Sequence, residues 1–274
     1  MKSKISTIVL IIGCFLGLCL LLYPTVSDFW NSHYATRAIA TYNKKVESIS
    51  KSDYTNLFNL ATEYNSELLK RHYPFAISDN EKKQYEKCLN IMGDGMMGYI
   101  EIEKINVNLP IYHGTSDKVL NTSIGHIDWS SLPIGGESSH CVLSGHRGLV
   151  NAKIFTDLDV LREGDTFKLN ILGKTLTYEI DRILTVNPDD TNELQIEKGK
   201  DLCTLVTCTP YGINTQRLLV RGHRIANKET AENVIAEAVV IDKYMVTMCI
   251  AVPLLAVLFF AVMFRKPKRR NRFD

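Results

Sequence analysis

Three residue types in this chain are suited to covalent chemistry: a cysteine, a histidine and an arginine. Cys208 closes the apolar, β-branched run Thr204 to Thr207, and Arg217 opens a second apolar run nine positions later. Proline, glycine and asparagine lie between the two runs and favour a turn. An antiparallel pairing of the runs would place the thiol and the guanidinium side by side at one mouth of a sheet.

The histidine best suited to assist them is His146. It follows the strand-like run Cys141 to Leu143, and glycines on both sides allow a turn that presents the imidazole. A pKa near 6.5 suits a group that protonates a leaving amine and later accepts a proton from an attacking amine. A thiol is strongly nucleophilic, and a guanidinium is a permanent donor to an oxyanion. Together the three side chains indicate acyl transfer.

The other cysteines favour structural interpretations. Three of the seven lie in long apolar segments, which leaves four outside them, and four cysteines can pair in three ways. Cys141 and Cys203 lie inside apolar strand patterns, which is typical of small buried side chains. The spacing of Cys203 and Cys208 does not match that of a zinc site, and the sequence contains no His-Glu-x-x-His motif. The sequence therefore predicts no metal and no cofactor.

The segments around these residues resemble the sortases, the cysteine transpeptidases of Gram-positive cell surfaces. The resemblance rests on TLVTC at residues 204–208, SGHRG at residues 144–148 and the arginine of NTQR, Arg217. The resemblance is closest to the class C, pilus-building branch of the sortases. This narrower match rests on TLVTCTPYGIN followed by RLLVRGHR, together with residues 155–158 and 188–190. The similarity covers nearly all of residues 24–264.

This resemblance implies a closed β-barrel and a specific reaction. Cys208 would attack the Thr–Gly carbonyl of an LPXTG-like sorting signal, Arg217 would stabilise the oxyanion, and His146 would protonate the departing amine. A lysine amine of the next pilin subunit would release the thioester as an isopeptide bond. Pilin subunits are thus the expected protein partners, and nucleic acid is not expected.

The sequence departs from the family pattern at two places. Gln216 stands where the class C branch usually has histidine, and the lid motif Asp-Pro-aromatic is represented by Tyr73, Pro74 and Phe75. With Thr207, these three residues are the candidate lid or substrate-binding residues. Because no carboxylate precedes Pro74, the lid is expected to be held loosely, with Asp79 as a candidate substitute acid.

Periodicity predicts a mainly β catalytic region after a helical one. Apolar residues repeat at helical spacing before residue 70, and Glu81 to Asn90 is expected to form a short helix. From Met97 onward, apolar and polar residues alternate in short segments that are bounded by turn residues, which is typical of a β-barrel. The expected strands are residues 97–102, 107–112, 139–144, 166–172, 176–184 and the two runs around Cys208.

Two uncharged segments frame these regions. Residues 5–27 and 244–264 are each long enough to cross a bilayer, which takes about 20 apolar residues. Lysines precede the first segment and six basic residues follow the second, so both termini are expected in the cytoplasm. The first segment lacks a small-residue cleavage site, which favours an anchor over a cleaved signal peptide. The catalytic region is then extracellular, on the plasma membrane of a Gram-positive bacterium.

The expected organisation is an anchor at residues 1–27, a helical region with a lid at 28–96, the catalytic barrel at 97–226, a juxtamembrane helix at 227–243, a second transmembrane helix at 244–264 and a basic tail at 265–274.

The same residues leave two alternative functions open. A sortase that attaches proteins to peptidoglycan would use the same three side chains. A non-enzymatic membrane-anchored scaffold would explain the topology but not Cys208, His146 and Arg217 together.

Overall fold

The computed structural model describes residues 2–71, 75–149 and 152–227. The expected second transmembrane helix, the basic tail and all but the first residue of the expected juxtamembrane helix lie outside these ranges. Among the described residues, one helix is long and apolar enough to cross a bilayer. This helix, α1, covers Lys2–Glu47 and contains Pro24. The expected boundary between residues 27 and 28 therefore lies inside a continuous helix.

Helix α1 is fixed to the barrel by its second half. Ala35, Ile39 and Tyr42 are buried, and the Tyr42 ring meets Tyr99 edge to face. The Tyr42 hydroxyl donates to the Met97 carbonyl at 2.8 Å and accepts the Leu172 N–H at 2.9 Å. These two backbone contacts belong to different parts of the barrel, so one side chain ties the helix to both.

Two further helices precede the barrel. Helix α2 covers Lys51–Leu68 and begins at Ser50, whose hydroxyl accepts the Asp53 N–H. Its buried face includes Ala61, Tyr64 and Leu68, whereas Leu60, expected on that face, is 51% exposed. Helix α3 covers Asp79–Tyr85. It starts earlier than predicted because Ser78 and Glu81 form a capping box.

Helix α2 is attached to the barrel through polar contacts. The Asn65 amide donates to the Leu132 carbonyl at 3.2 Å and accepts the Leu132 N–H at 2.7 Å. The Tyr64 hydroxyl donates to the Asp128 carbonyl at 2.9 Å. The end of α2 is therefore held beside the loop at residues 128–132.

Eight strands form a closed barrel in the order β1-β2-β3-β4-β7-β8-β6-β5. A four-residue helix, α4, at Asp117–Leu120 precedes β3. All predicted strands are present, and β3 is an additional short one. The strands are β1 Met96–Ile102, β2 Val107–His113, β3 Ile124–His126, β4 Ser139–Ser144, β5 Thr166–Ile171, β6 Lys174–Val186, β7 Asp201–Thr209 and β8 Gln216–Ile225.

The barrel interior holds most of the apolar core. Phe167 and Tyr178 stack at 5.4 Å between ring centroids and are almost fully buried. Gly222 lies against the Phe167 ring and the Tyr178 β-carbon, and a β-carbon on residue 222 would come within 2.8 Å of Phe167. The absence of a side chain at this position of β8 therefore lets the two rings fill the barrel.

Candidate active site

The turn between β7 and β8 brings Cys208 and Arg217 together. The two strands are antiparallel, and Cys208 pairs directly with Arg217 while Thr209 pairs with Gln216. The predicted pairing of thiol and guanidinium is therefore confirmed. The Ile213 and Asn214 N–H groups both donate to the Pro210 carbonyl, which closes the turn.

Strand β4 brings His146 to the same end of the sheet. β4 runs parallel to β7, with Cys141 opposite Cys203 and Ser144 opposite Val206. The Gly145 N–H donates to the Val206 carbonyl at 3.1 Å, so the strands stay together past the end of β4. Continuing this register by two residues aligns His146 with Cys208. Cys208 thus lies between a strand that leads to His146 and a strand that begins beside Arg217.

Thr207 supports the turn that carries His146. It is 2% exposed, and its hydroxyl donates to the Gly145 carbonyl at 2.7 Å. Gly145 is packed so closely that a β-carbon there would lie 2.6 Å from the Phe155 ring. A contact between Thr207 and a substrate stays a prediction, whereas its bond to Gly145 gives it a structural role.

The three candidate side chains are neither fully buried nor fully exposed. Arg217 donates through Nη1 to the carbonyl groups of Asn214 and Gln216, at 3.3 and 3.0 Å. Among residues 2–71, 75–149 and 152–227, no carboxylate forms an ion pair with Arg217. Its guanidinium is therefore oriented by backbone oxygens and retains donors for an incoming oxyanion.

Arg147 joins the His146 loop to the turn after Cys208. Its guanidinium donates to the Thr156 carbonyl at 3.2 Å and to the Thr209 hydroxyl at 3.4 Å, and it forms an ion pair with Asp159. It also lies over the Tyr211 ring. Sequence reasoning missed this role, because an arginine beside a glycine is equally typical of a surface ion pair. Arg147 thus holds together the two loops that flank the thiol.

An apolar surface on the outside of the barrel leads to Cys208. Val142, Leu194, Val206 and Leu219 are buried there, with Trp129 and three other apolar side chains packed against them. Because alternate residues of a strand point to the same face, Val206 and Cys208 share this side of β7. We call this set of residues the outer apolar surface.

The loop before β7 is fixed over this surface by His140. One ring nitrogen, Nδ1, lies 2.8 Å from the Gln195 carbonyl, and Nε2 lies 2.7 Å from the Thr204 hydroxyl. Burial lowers the pKa of His140 below its usual value. A neutral ring with Nδ1 protonated donates to Gln195 and accepts from Thr204, which satisfies both contacts.

The candidate lid is described only in part. Tyr73 and Pro74 lie outside the described residues. Phe75 packs edge to face against Trp129, with 5.1 Å between ring centroids. Since Trp129 borders the outer apolar surface, Phe75 reaches the same side of the barrel as Cys208. Coverage of the thiol by this segment stays a prediction, and Trp129 is a contact that the sequence did not indicate.

The remaining barrel-side cysteines are buried. Cys88, Cys141 and Cys203 are at most 5% exposed and are free thiols. Burial raises the pKa of Cys88 to about 11 and that of Cys203 well above its usual value. Thiolate formation is therefore disfavoured at both. Within the described ranges, no group of three or more His, Cys, Asp or Glu side chains is placed to hold a metal ion.

Comparison with known proteins agrees with this geometry. A family model described as Sortase domain matches residues 100–225. Sortase D of Bacillus subtilis is 35% identical over 131 residues, which are 47% of this chain and 63% of that protein. Sortase A of Streptococcus agalactiae is 30% identical over 128 residues, which are 46% of this chain and 51% of that protein. The chain thus spans less than two thirds of these two relatives.

Solved structures give longer matches. Sortase C1 of Streptococcus agalactiae is 53% identical with a TM-score of 0.68, and the match covers 70% of this chain and 100% of that one. Sortase C of Clostridium perfringens, solved with the C-terminal cell wall sorting motif, is 43% identical with a TM-score of 0.62. This match covers 70% of this chain and 100% of that one. From the barrel, the arrangement around Cys208 and these similarities, we conclude that this chain belongs to the sortase family.

Proposed function

We propose that this protein is a class C sortase that joins pilin subunits. Sortases are cysteine transpeptidases, and the observation that carries the proposal is the position of Cys208 at the end of β7, between β8, which begins beside Arg217, and β4, which leads to His146. The similar sortase C structures support the class. One of them contains a cell wall sorting motif, and another, from Streptococcus pneumoniae, is described as giving insight into pilin substrate specificity.

The proposed reaction begins with cleavage of the sorting signal. The Cys208 sulfur attacks the carbonyl carbon of the Thr–Gly bond in an LPXTG-like segment and forms a tetrahedral oxyanion. Arg217 donates to this oxyanion, where donors aimed at developing charge are most effective. The one proton that the Cys208 thiol and the His146 imidazole hold between them passes from His146 to the glycine nitrogen, the C–N bond breaks, and a thioester remains on Cys208.

The second half transfers the acyl group. A lysine amine of another pilin attacks the thioester carbonyl and gives its proton to His146. The C–S bond breaks, the thiol is regenerated, and an isopeptide bond joins the two subunits. The enzyme returns to its starting state, so the overall reaction requires neither an oxidant nor a cofactor.

The outer apolar surface is the proposed binding site for the sorting signal. It lies on the Cys208 side of β7 and is bordered by the loop that His140 fixes. An extended peptide lying on it would present apolar side chains to its partly exposed members, such as Leu184 and Val186, and its scissile bond to the thiol. We propose residues 73–75 as a lid, because Phe75 on Trp129 occupies the border of this surface and would compete with the peptide.

The proposed location follows from α1. This helix contains an apolar stretch sufficient to cross a bilayer, and lysines precede it. A membrane anchor at this end, with the barrel outside the cell, would hold the enzyme where exported pilins emerge. The second expected span, at residues 244–264, is part of the same proposal.

The test uses the full chain in detergent, incubated with a candidate pilin carrying a sorting signal. We expect a ladder of high-mass pilin products on a denaturing gel, with none for Cys208→Ala. Cys88→Ala is the matched control, because this thiol is buried beside α2 and should leave the ladder unchanged.

Other outcomes would contradict the proposal in defined ways. Transfer to peptidoglycan-derived amines without a ladder would indicate a sortase that anchors proteins to the cell wall. A ladder that persists in Cys208→Ala would exclude Cys208 as the nucleophile. The absence of any thioester or product with every sorting signal tested would favour a non-enzymatic scaffold.

A further inference from the structure

Helix α1 carries a stripe of large exposed side chains at the end of its apolar segment and just beyond it. Tyr23, Val26, Trp30 and Tyr34 are spaced to lie on one helical face and are 57%, 61%, 67% and 69% exposed. Phe29 beside them is 51% exposed. Large apolar side chains grouped on a surface mark an interaction site. We call Tyr23, Val26, Phe29, Trp30 and Tyr34 the aromatic stripe.

The aromatic stripe is turned away from the buried face of α1, and its members Trp30 and Tyr34 border a groove between the helix and the barrel. The barrel packs on a different face of α1, through Ala35, Ile39 and Tyr42. Because Tyr42 is bonded to the backbone at Met97 and Leu172, the helix does not turn freely about its axis. The direction in which the stripe points is therefore fixed relative to the barrel.

The loop that follows His146 meets α1 at the same level. Asp28 is the first charged residue after the apolar segment, and its carboxylate accepts the Lys153 backbone N–H at 3.0 Å. Two residues later, the Phe155 N–H donates to the His146 carbonyl at 3.0 Å. Two extended residues span about 7 Å, so the His146 backbone lies within roughly 15 Å of the Asp28 carboxylate.

Two exposed lysines, Lys118 and Lys153, lie near α1, and the acidic Asp94 lies near Lys118. A groove of about 490 Å³ between α1 and the barrel is lined by Trp30, Tyr34 and Lys118, among others. Aromatic rings favour the level of the lipid headgroups, and lysines near a membrane surface are attracted to anionic lipids. The edge of the barrel next to Asp28 thus has the chemistry of a membrane-contacting surface.

We propose that the aromatic stripe, with Lys118 and Lys153, docks the barrel on the headgroup region of the bilayer. The His146 loop then lies beside the lipid surface, and the active site is held at a fixed, small height above the membrane. Such a site would favour sorting signals that emerge within a few residues of a membrane segment. This inference rests on the proposed function only in treating α1 as the membrane anchor.

The two tryptophans of the chain allow a direct test, because one is Trp30 and the other is Trp129. The full chain is reconstituted into phosphatidylcholine vesicles that contain phosphatidylglycerol, with brominated lipids as quenchers. In Trp129→Phe, lipids brominated near the headgroups should quench at least about half of the fluorescence of the remaining Trp30. Lipids brominated near the bilayer centre should quench it less. In Trp30→Phe, the remaining Trp129 should be unaffected.

A second pair of variants measures the height of the His146 loop. In a background lacking both tryptophans, Lys153→Trp should be quenched by a headgroup spin label. Glu47→Trp is the matched control, because Glu47 is exposed and lies about 28 Å farther along α1 than Asp28. Its emission should not change.

Either of two results would overturn the proposal. One is Trp30 emission that no lipid quencher reduces, as expected if a second copy of the chain covers the stripe. The other is equal quenching at positions 153 and 47. The ladder assay on the Trp30→Phe and wild-type chains in the same vesicles, both of which keep Trp129, separates this inference from the proposed function. Pilin joining without lipid quenching would leave the function intact, and quenching without joining would leave the docking surface intact.

Discussion

His146 and Cys208 fall at equivalent positions of one parallel register, with Cys208 in β7 and His146 two residues past the end of β4. Cys141 pairs with Cys203 in β4 and β7, and each candidate catalytic residue lies five positions later in the chain. The register continues through the Gly145 N–H bonded to the Val206 carbonyl and the Thr207 hydroxyl bonded to the Gly145 carbonyl. The start of the loop that carries His146 is therefore held beside β7 by these two hydrogen bonds.

Replacing Cys208 with alanine should abolish transfer and leave the fold intact. The nucleophile is lost, while a small side chain remains at a partly exposed strand end, where substitutions change stability by about 0.5 kcal/mol or less. Mass spectrometry of the full chain after incubation with a sorting-signal peptide measures the thioester. An adduct on Cys88, Cys141 or Cys203 would contradict the assignment.

Replacing Arg217 with lysine should reduce turnover by about 10²-fold. Lysine keeps the positive charge but lacks the planar guanidinium group with its several N–H donors. The carbonyl groups of Asn214 and Gln216 orient this guanidinium in Arg217. The measurement is the rate of pilin joining at saturating substrate. Gln216→His is the matched control on the same strand and should be close to neutral. Near-normal turnover of Arg217→Lys would reduce Arg217 to a structural residue.

Replacing Arg147 with lysine should lower turnover by roughly tenfold, with a smaller effect on stability. A single ammonium cannot bond the Thr156 carbonyl, the Thr209 hydroxyl and Asp159 together, so the loops that flank Cys208 would separate. Asp159→Asn keeps the two other contacts and should have a milder effect. If both variants joined pilins at the wild-type rate, Arg147 would be a surface ion-pair residue.

Much of this architecture was predictable because it follows local rules. Strand alternation, turn residues and the pairing of Cys208 with Arg217 are all encoded in short segments. Strand β3 was not predicted, because it has three residues, one of them Gly125, and depends on pairing with β2 and β4. The role of Arg147 was also hidden, since its partners are 9 to 62 residues away and meet only in the folded barrel.

Acidification should destabilise the protein through His140. Burial, aided by the nearby Arg221, lowers the pKa of His140, although Glu197 and Asp181 oppose this effect. Below about pH 6.5 the unfolded chain binds a proton that the folded chain resists, so stability falls as pH falls through this range. We expect the thermal midpoint of the full chain in detergent to fall between pH 7.5 and 5.

His140→Gln should make that fall smaller, since one contributing group is removed. Burial also lowers the pKa of His113, so part of the pH dependence should remain in the variant. An identical pH dependence in wild type and variant would show that His140 does not contribute. Loss of the Gln195 contact should also increase proteolysis in the loop before β7.

The last prediction concerns the segment at residues 73–75. Phe75→Ala should speed the labelling of Cys208 by a small thiol reagent several-fold, because the Phe75 contact with Trp129 holds this segment on the thiol side of the barrel. Tyr73→Asp should slow labelling, since an acid before Pro74 would gain an attraction to Arg217. The labelling rate of the full chain at fixed pH is the measurement, and Phe58→Ala, in α2, is the control. Trp129→Ala should speed labelling as much as Phe75→Ala does, and the double variant should add little because both changes break one contact. If Phe75→Ala and Tyr73→Asp both leave the rate unchanged, this segment is not a lid.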